Sequence, residues 1–101
     1  LATERPDKQL NDIKIRDAVR KIDEDTAKYY ADNHSFKNFQ ADSQLNNIIK
    51  ENNSELIINY AEKEAILIYA KLPYSGKFYC ADGEGLTVEV NNITPGQKRC
   101  R

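Results

Sequence analysis

The chain is short of the residues on which most catalytic and metal chemistry depends. One His and two Cys in 101 residues are too few for a structural zinc site built from those ligands. Long apolar runs are missing as well. The longest, Ala65 to Ala70, is six residues, so no segment is expected to span a bilayer or to form the apolar centre of a secretory leader, and whatever targets the chain is expected to lie outside these residues. Nor is there an excess of charge of one sign. Fifteen basic and sixteen acidic side chains leave a formal charge of −1, which argues against a nucleic-acid binder held chiefly by phosphate neutralisation. What remains is enough to fold. Hydrophobic residues make up 40% of the chain, including 23 Leu, Ile, Val and Phe, which clears the range of disordered sequences. The length allows one domain, residues 1–101, because neither half could bury an adequate core alone.

From Pro6 to about Asn33 there is no Gly, and Pro is confined to the first turn, so a long helix is predicted there. At about 100° per residue, Ala18, Val19, Ile22, Thr26, Tyr29 and Tyr30 fall within about 60° of Ile15, a stripe that should face the core. Asp12 before Arg16 and Asp17 before Lys21 read as exposed pairs on a solvated face. Leu10 and Ile13 depart from the stripe by about 140° to 160°, on the far side of the helix. They are either isolated surface residues or the mark of a helix with two buried faces, one against its own domain and one against neighbouring subunits.

A connecting region, residues 34–54, follows. The stretch around its start, Asp32 to Ala41, is polar with two Phe, and Ser43 reads as the N-cap of a short helix through Leu45, Ile48 and Ile49, ending near Asn52 and Asn53. From Glu55 the chain becomes β-branched and aromatic, and four strands are predicted: Leu56–Tyr60, Glu64–Leu72, Lys77–Ala81 and Leu86–Val90. The short separators suggest consecutive antiparallel hairpins. Continuous apolarity makes the second strand a central one covered on both sides. Pro95-Gly96 signals one more turn in the tail. The fold class is therefore α+β, a long N-terminal helix packed on a four-stranded antiparallel sheet.

Little here points to catalysis. His34 has no nucleophile motif around it, so it reads as a loop histidine, and a small secreted enzyme lacks any nucleophile and base arrangement. Asp23, Glu24 and Asp25 lie on a helix without the Gly of a calcium loop. Asp82-Gly83-Glu84-Gly85 reads as a hairpin turn because no helix follows to receive an anion. The sequons Asn33-His34-Ser35, Asn52-Asn53-Ser54 and Asn92-Ile93-Thr94 are glycosylation acceptors only in a source with the machinery. Lys98, Arg99 and Arg101 form a basic cluster, either solvated or aimed at DNA, a surface or an acidic neighbour. Cys80 and Cys100 fit no redox or zinc spacing, leaving a structural disulfide in an exported protein or two reduced thiols.

Two segments carry a resemblance. Ile15-Arg16-Asp17-Ala18-Val19-Arg20-Lys21-Ile22-Asp23, followed by Tyr29-Tyr30-Ala31-Asp32-Asn33, is similar to the charged helix of bacterial type IV pilins and pseudopilins, in which basic and acidic steps precede paired aromatics and a glycine-containing loop. His34-Ser35-Phe36 stands where many of that family have Gly, an aromatic and Pro, so the loop differs. Gly76-Lys77-Phe78-Tyr79-Cys80-Ala81-Asp82-Gly83-Glu84-Gly85, with Cys100 beyond it, resembles the pilin C-terminal region. There a Cys on a late strand, followed by Asp and a Gly-bearing turn, pairs with a Cys near the chain end.

The resemblance implies a pilin-like subunit of an extracellular filament, membrane-anchored before assembly by an apolar segment ahead of Leu1. It implies a Cys80–Cys100 disulfide, and no catalytic residue, cofactor or metal. Ile15, Ala18, Val19, Ile22, Thr26, Tyr29 and Tyr30 would fix the sheet, while Leu10, Ile13, Arg16, Asp17 and Arg20 would face neighbouring subunits. The implied partners are copies of itself, related pilins, the assembly machinery, and DNA or a host surface. The alternative is a minor pilin or secretion pseudopilin acting as a binding module for DNA or a surface.

Overall fold

A computed structural model describes residues 4–84 and 86–101, with side chains from Gln9 onward. The long helix α1 runs Glu4–Asn33, which at about 1.5 Å per residue is about 45 Å. The molecule's longest extent is 51 Å, so this helix sets its length. Pro6 sits in the first turn, where a missing N–H costs nothing. At the other end the amide of His34 donates to Tyr30 O at 2.7 Å and His34 takes φ 56°. It thus adopts the left-handed geometry that Gly usually supplies at a helix end.

The connection is less polar inside than its composition suggests. Phe36 and Phe39 are buried, and each meets one of the paired tyrosines. Tyr30 and Phe36 lie 4.7 Å apart, and Tyr29 and Phe39 meet edge-on at 5.5 Å. Tyr29 and Tyr30 therefore pack on the core through the connection's rings, and the hydroxyl of Tyr29 donates to Lys37 O at 2.7 Å. The second helix, α2, spans Ser43–Glu51 and is capped by Asp42 rather than Ser43. The Asp42 carboxylate accepts from Leu45 N at 3.0 Å, so Ser43 is already inside the first turn. At its end the Asn52 side chain donates to Ile48 O at 2.7 Å.

Four strands follow, β1 (Leu56–Ala61), β2 (Ile66–Lys71), β3 (Phe78–Asp82) and β4 (Thr87–Val90). They form one antiparallel sheet in the order β1-β2-β3-β4. The bounds differ from expectation by one or two residues at one or both ends of each strand: β1 extends to Ala61 and β2 begins at Ile66, because Glu62 N bonds Ala65 O and closes a turn there, while β3 runs one residue later and β4 begins at Thr87. Period-two alternation divides β2 between two cores. Ile66, Ile68 and Ala70 face α1 with Ile15, Ala18, Val19 and Ile22, all buried. Leu67 faces the other way, with Cys80 and Cys100, flanked by Tyr60, Val88, Val90 and Ile93. The C-terminal tail is what covers this second face, so β2 is enclosed by the helix on one side and the tail on the other.

The tail is fastened at several points. Cys80 and Cys100 form a disulfide. The side-chain amide of Asn59, which sits in the β1 bulge, donates to Thr94 O at 3.0 Å and to Gln97 O at 3.1 Å. Pro95-Gly96 makes a turn closed by Gln97 N to Thr94 O, with Gly96 at φ 80°, which only Gly adopts without strain. Gly83 is required for a different reason, since a Cβ there would stand 3.0 Å from the Phe36 ring.

Candidate functional site

Among the described residues no three metal-ligating side chains cluster. The outer surface of α1 carries exposed apolar side chains. Its inner stripe is closed: Ile15, Val19 and Ile22 are fully buried, and Ala18 and Thr26 nearly so. Thr26 meets its polar requirement locally, its hydroxyl donating to Asp23 O at 2.6 Å. On the far side Leu10 is 46% and Ile13 49% exposed.

The charges of α1 are arranged differently from the helical pairs expected. Asp12 does not pair with Arg16 on a solvated face. It is 2% exposed, and its two carboxylate oxygens accept from Tyr74 N and Ser75 N, each at 3.0 Å. This clamps the β2–β3 turn onto the helix. Arg16 instead reaches across to Glu89 of β4, Nη2 to Oε2 at 2.9 Å. Asp17 pairs with Arg20 at 2.6 Å rather than with Lys21, and the Arg20 guanidinium lies 5.6 Å from the Tyr79 ring centre. Of the charged residues placed toward neighbouring subunits, Arg16 is thus bound within its own domain. Asp17 and Arg20 remain at the surface as an ion pair.

Two shallow concavities flank the helix. On one side a depression of about 330 Å³ lies between Ile13, Arg16 and Tyr74, with Gln9 Nε2 donating to the Tyr74 hydroxyl at 3.2 Å. On the other side a groove of about 360 Å³ runs between α1 and α2, floored by Ala18, Leu45 and Ile48 and rimmed by Lys14, Lys21 and Glu51.

Burial pushes the Asp23 carboxyl up to about 6; the hydrogen bond from Thr26 pulls it back down, and the charges of Asp82 and Glu24 add to the rise. Asp82 is buried at the end of β3, where its carboxylate accepts from Glu84 N and Cys100 N. That carboxylate joins the turn to the tail, a role that sequence reading gave only to the turn.

Two of the three tail cations make contacts within the domain. Arg99 pairs with Glu84 at 2.5 Å, and the Lys98 ammonium sits 5.2 Å from the Tyr60 ring centre. Of the three sequons, Asn52 is buried with its amide bonded to the helix end, while Asn33 and Asn92 are exposed. Among the described residues no helix is long and apolar enough to cross a membrane. No family model, curated protein or solved structure matches the chain.

Proposed function

We propose that the chain is a structural subunit of a type IV pilus-like extracellular filament, assembled through α1 and held to a membrane before assembly by an apolar segment ahead of it. The observation that carries this reading is the division of α1. Its inner stripe is saturated by the sheet and α2, while Leu10 and Ile13 remain exposed on the opposite side. A helix with both a closed and an open apolar face suits packing against further helices. The order of a long charged helix, a four-stranded meander and a disulfide-tethered tail supports the same reading. Its chemistry is association, with no turnover.

The direct test is to shear filaments from cells that make the full chain and identify their protein by mass spectrometry, alongside cells in which its gene is deleted. The reading expects the chain in the sheared filament fraction and fewer filaments in the deletion. Recovery of the chain only as a soluble protein would contradict it.

A further inference from the structure

Charges on the outer face of α1 are sorted by sign into two columns of equal spacing. Lys14, Lys21 and Lys28 recur every seven residues, as do Leu10, Asp17 and Glu24, and all six are exposed. Seven residues make nearly two turns, about 10.5 Å, so each set runs as a column along the helix. At about 100° per residue the basic column lies about 40° to 60° from the acidic one, and both point more than about 90° away from Ile15 and the buried stripe. Such spacing would suit pairs within the helix, because Asp17 and Lys21, like Glu24 and Lys28, stand four apart in the favoured order. The structure does not use it. Asp17 pairs through Oδ1 with Arg20, and among the described residues neither Glu24 nor any of the three lysines forms a salt bridge.

We infer that the basic column of one copy's α1 lies against the acidic column of a second copy's α1, so that its lysines reach Asp17 and Glu24. This inference rests on the filament reading and deepens it by naming the charge pairs between helices. The complementarity itself argues for a second copy of this chain. When two such helices run parallel with this face between them, unlike columns lie across from each other, whereas in an antiparallel pair like columns meet. One chain therefore carries both halves of the contact, in the orientation that repeated subunits along a filament share. The common spacing also gives a register, because the match recurs at steps of about 10.5 Å. Leu10 heads the acidic column, which puts the ladder in line with the exposed apolar residues of the same face. Exposed ion pairs are individually weak and are screened by salt. The columns thus orient helices that apolar contacts bring together, and do not hold free domains in a complex.

The test is charge exchange in the full chain, read as subunit in the sheared filament fraction with thermal unfolding measured alongside. Lys14→Glu, Lys21→Glu and Lys28→Glu together should leave unfolding nearly unchanged and lower the assembled subunit at least fivefold. Adding Asp17→Lys and Glu24→Lys to that chain inverts both columns and should restore at least half of the lost assembly, a rescue that a merely local role of the lysines would not give. Assembly of the Lys→Glu chain at the unaltered level, or a folded five-residue exchange that restores nothing, would overturn the inference and leave the filament reading intact. Should the Lys→Glu chain fail to fold, Lys→Gln at the same three positions decides: it adds no repulsion and should lower assembly at least twofold, and unaltered assembly would overturn the inference. Absence of filaments from the unaltered chain would overturn both readings.

Discussion

Removing the Asp12 carboxylate would release two backbone donors 62 and 63 residues away. Hydrogen bonds to a buried charged group are stronger than average, but Tyr74 and Ser75 are themselves exposed and their amides could turn to water. Asp12→Ala should therefore cost about 2 kcal/mol in urea unfolding, with Asp12→Asn recovering part because its carbonyl still accepts. An unchanged midpoint would mean that the turn does not depend on this clamp. Asp23 acts in the opposite sense. Its folded-state pKa of about 6 lies above the ordinary 3.8, so between these values the folded chain binds more protons than the unfolded one. Its contribution to stability is greatest below the lower value and is lost as pH rises through the upper. Asp23→Asn should flatten this part of the stability profile and raise the midpoint at pH 7. A profile unchanged by the substitution would place the carboxylate in a better-solvated environment.

Among the elements, α1 is where sequence and structure agree most closely, because a 3.6-residue period is visible without knowing what covers it. The stripe from Ile15 to Thr26 is buried as its spacing suggests. The charged residues were not legible in the same way. Asp12 and Arg16 are four apart, yet their partners are Tyr74, Ser75 and Glu89, and nothing local in the sequence encodes a contact that distant. Phe36 and Phe39 were hidden for a related reason. They stand alone in a polar segment, where periodicity has nothing to act on, and are buried by Tyr30, Tyr29 and the approach to Gly83.

The division of α1 predicts unequal effects within one helix. Ile22→Ala, at the centre of the buried stripe, should destabilise the domain by about 2–4 kcal/mol, whereas Leu10→Ala should change it by less than about 0.5 kcal/mol. Equal shifts in denaturant midpoint would mean that the helix lacks two faces. The tail makes a further element-scale prediction. Its disulfide closes a loop with a sequence separation of 20, for which chain entropy gives about 3 kcal/mol. Reduction should accelerate amide exchange over residues 91–101 and around β4 while α1 retains protection. The bonds from Asn59 and Asp82 would keep a fraction of the tail in place. Global loss of protection would show that the second core, around Leu67, holds the whole fold.

At the scale of the whole molecule, stability and association are assigned to different surfaces. The sheet is covered on one side by α1 and α2 and on the other by its own tail. The principal apolar surface left open lies along the first half of the helix and the turn clamped to it. The exposed area is too small to hold two free domains together, so residues 1–101 alone should sediment as a monomer, and the same surface should matter only when the full chain assembles. The measurement that bears most directly on this is the amount of subunit in the sheared filament fraction when Leu10→Ala and Ile13→Ala are combined in the full chain. The account predicts unchanged expression and thermal unfolding with at least a tenfold loss of assembled subunit; filaments at the unaltered level would contradict it.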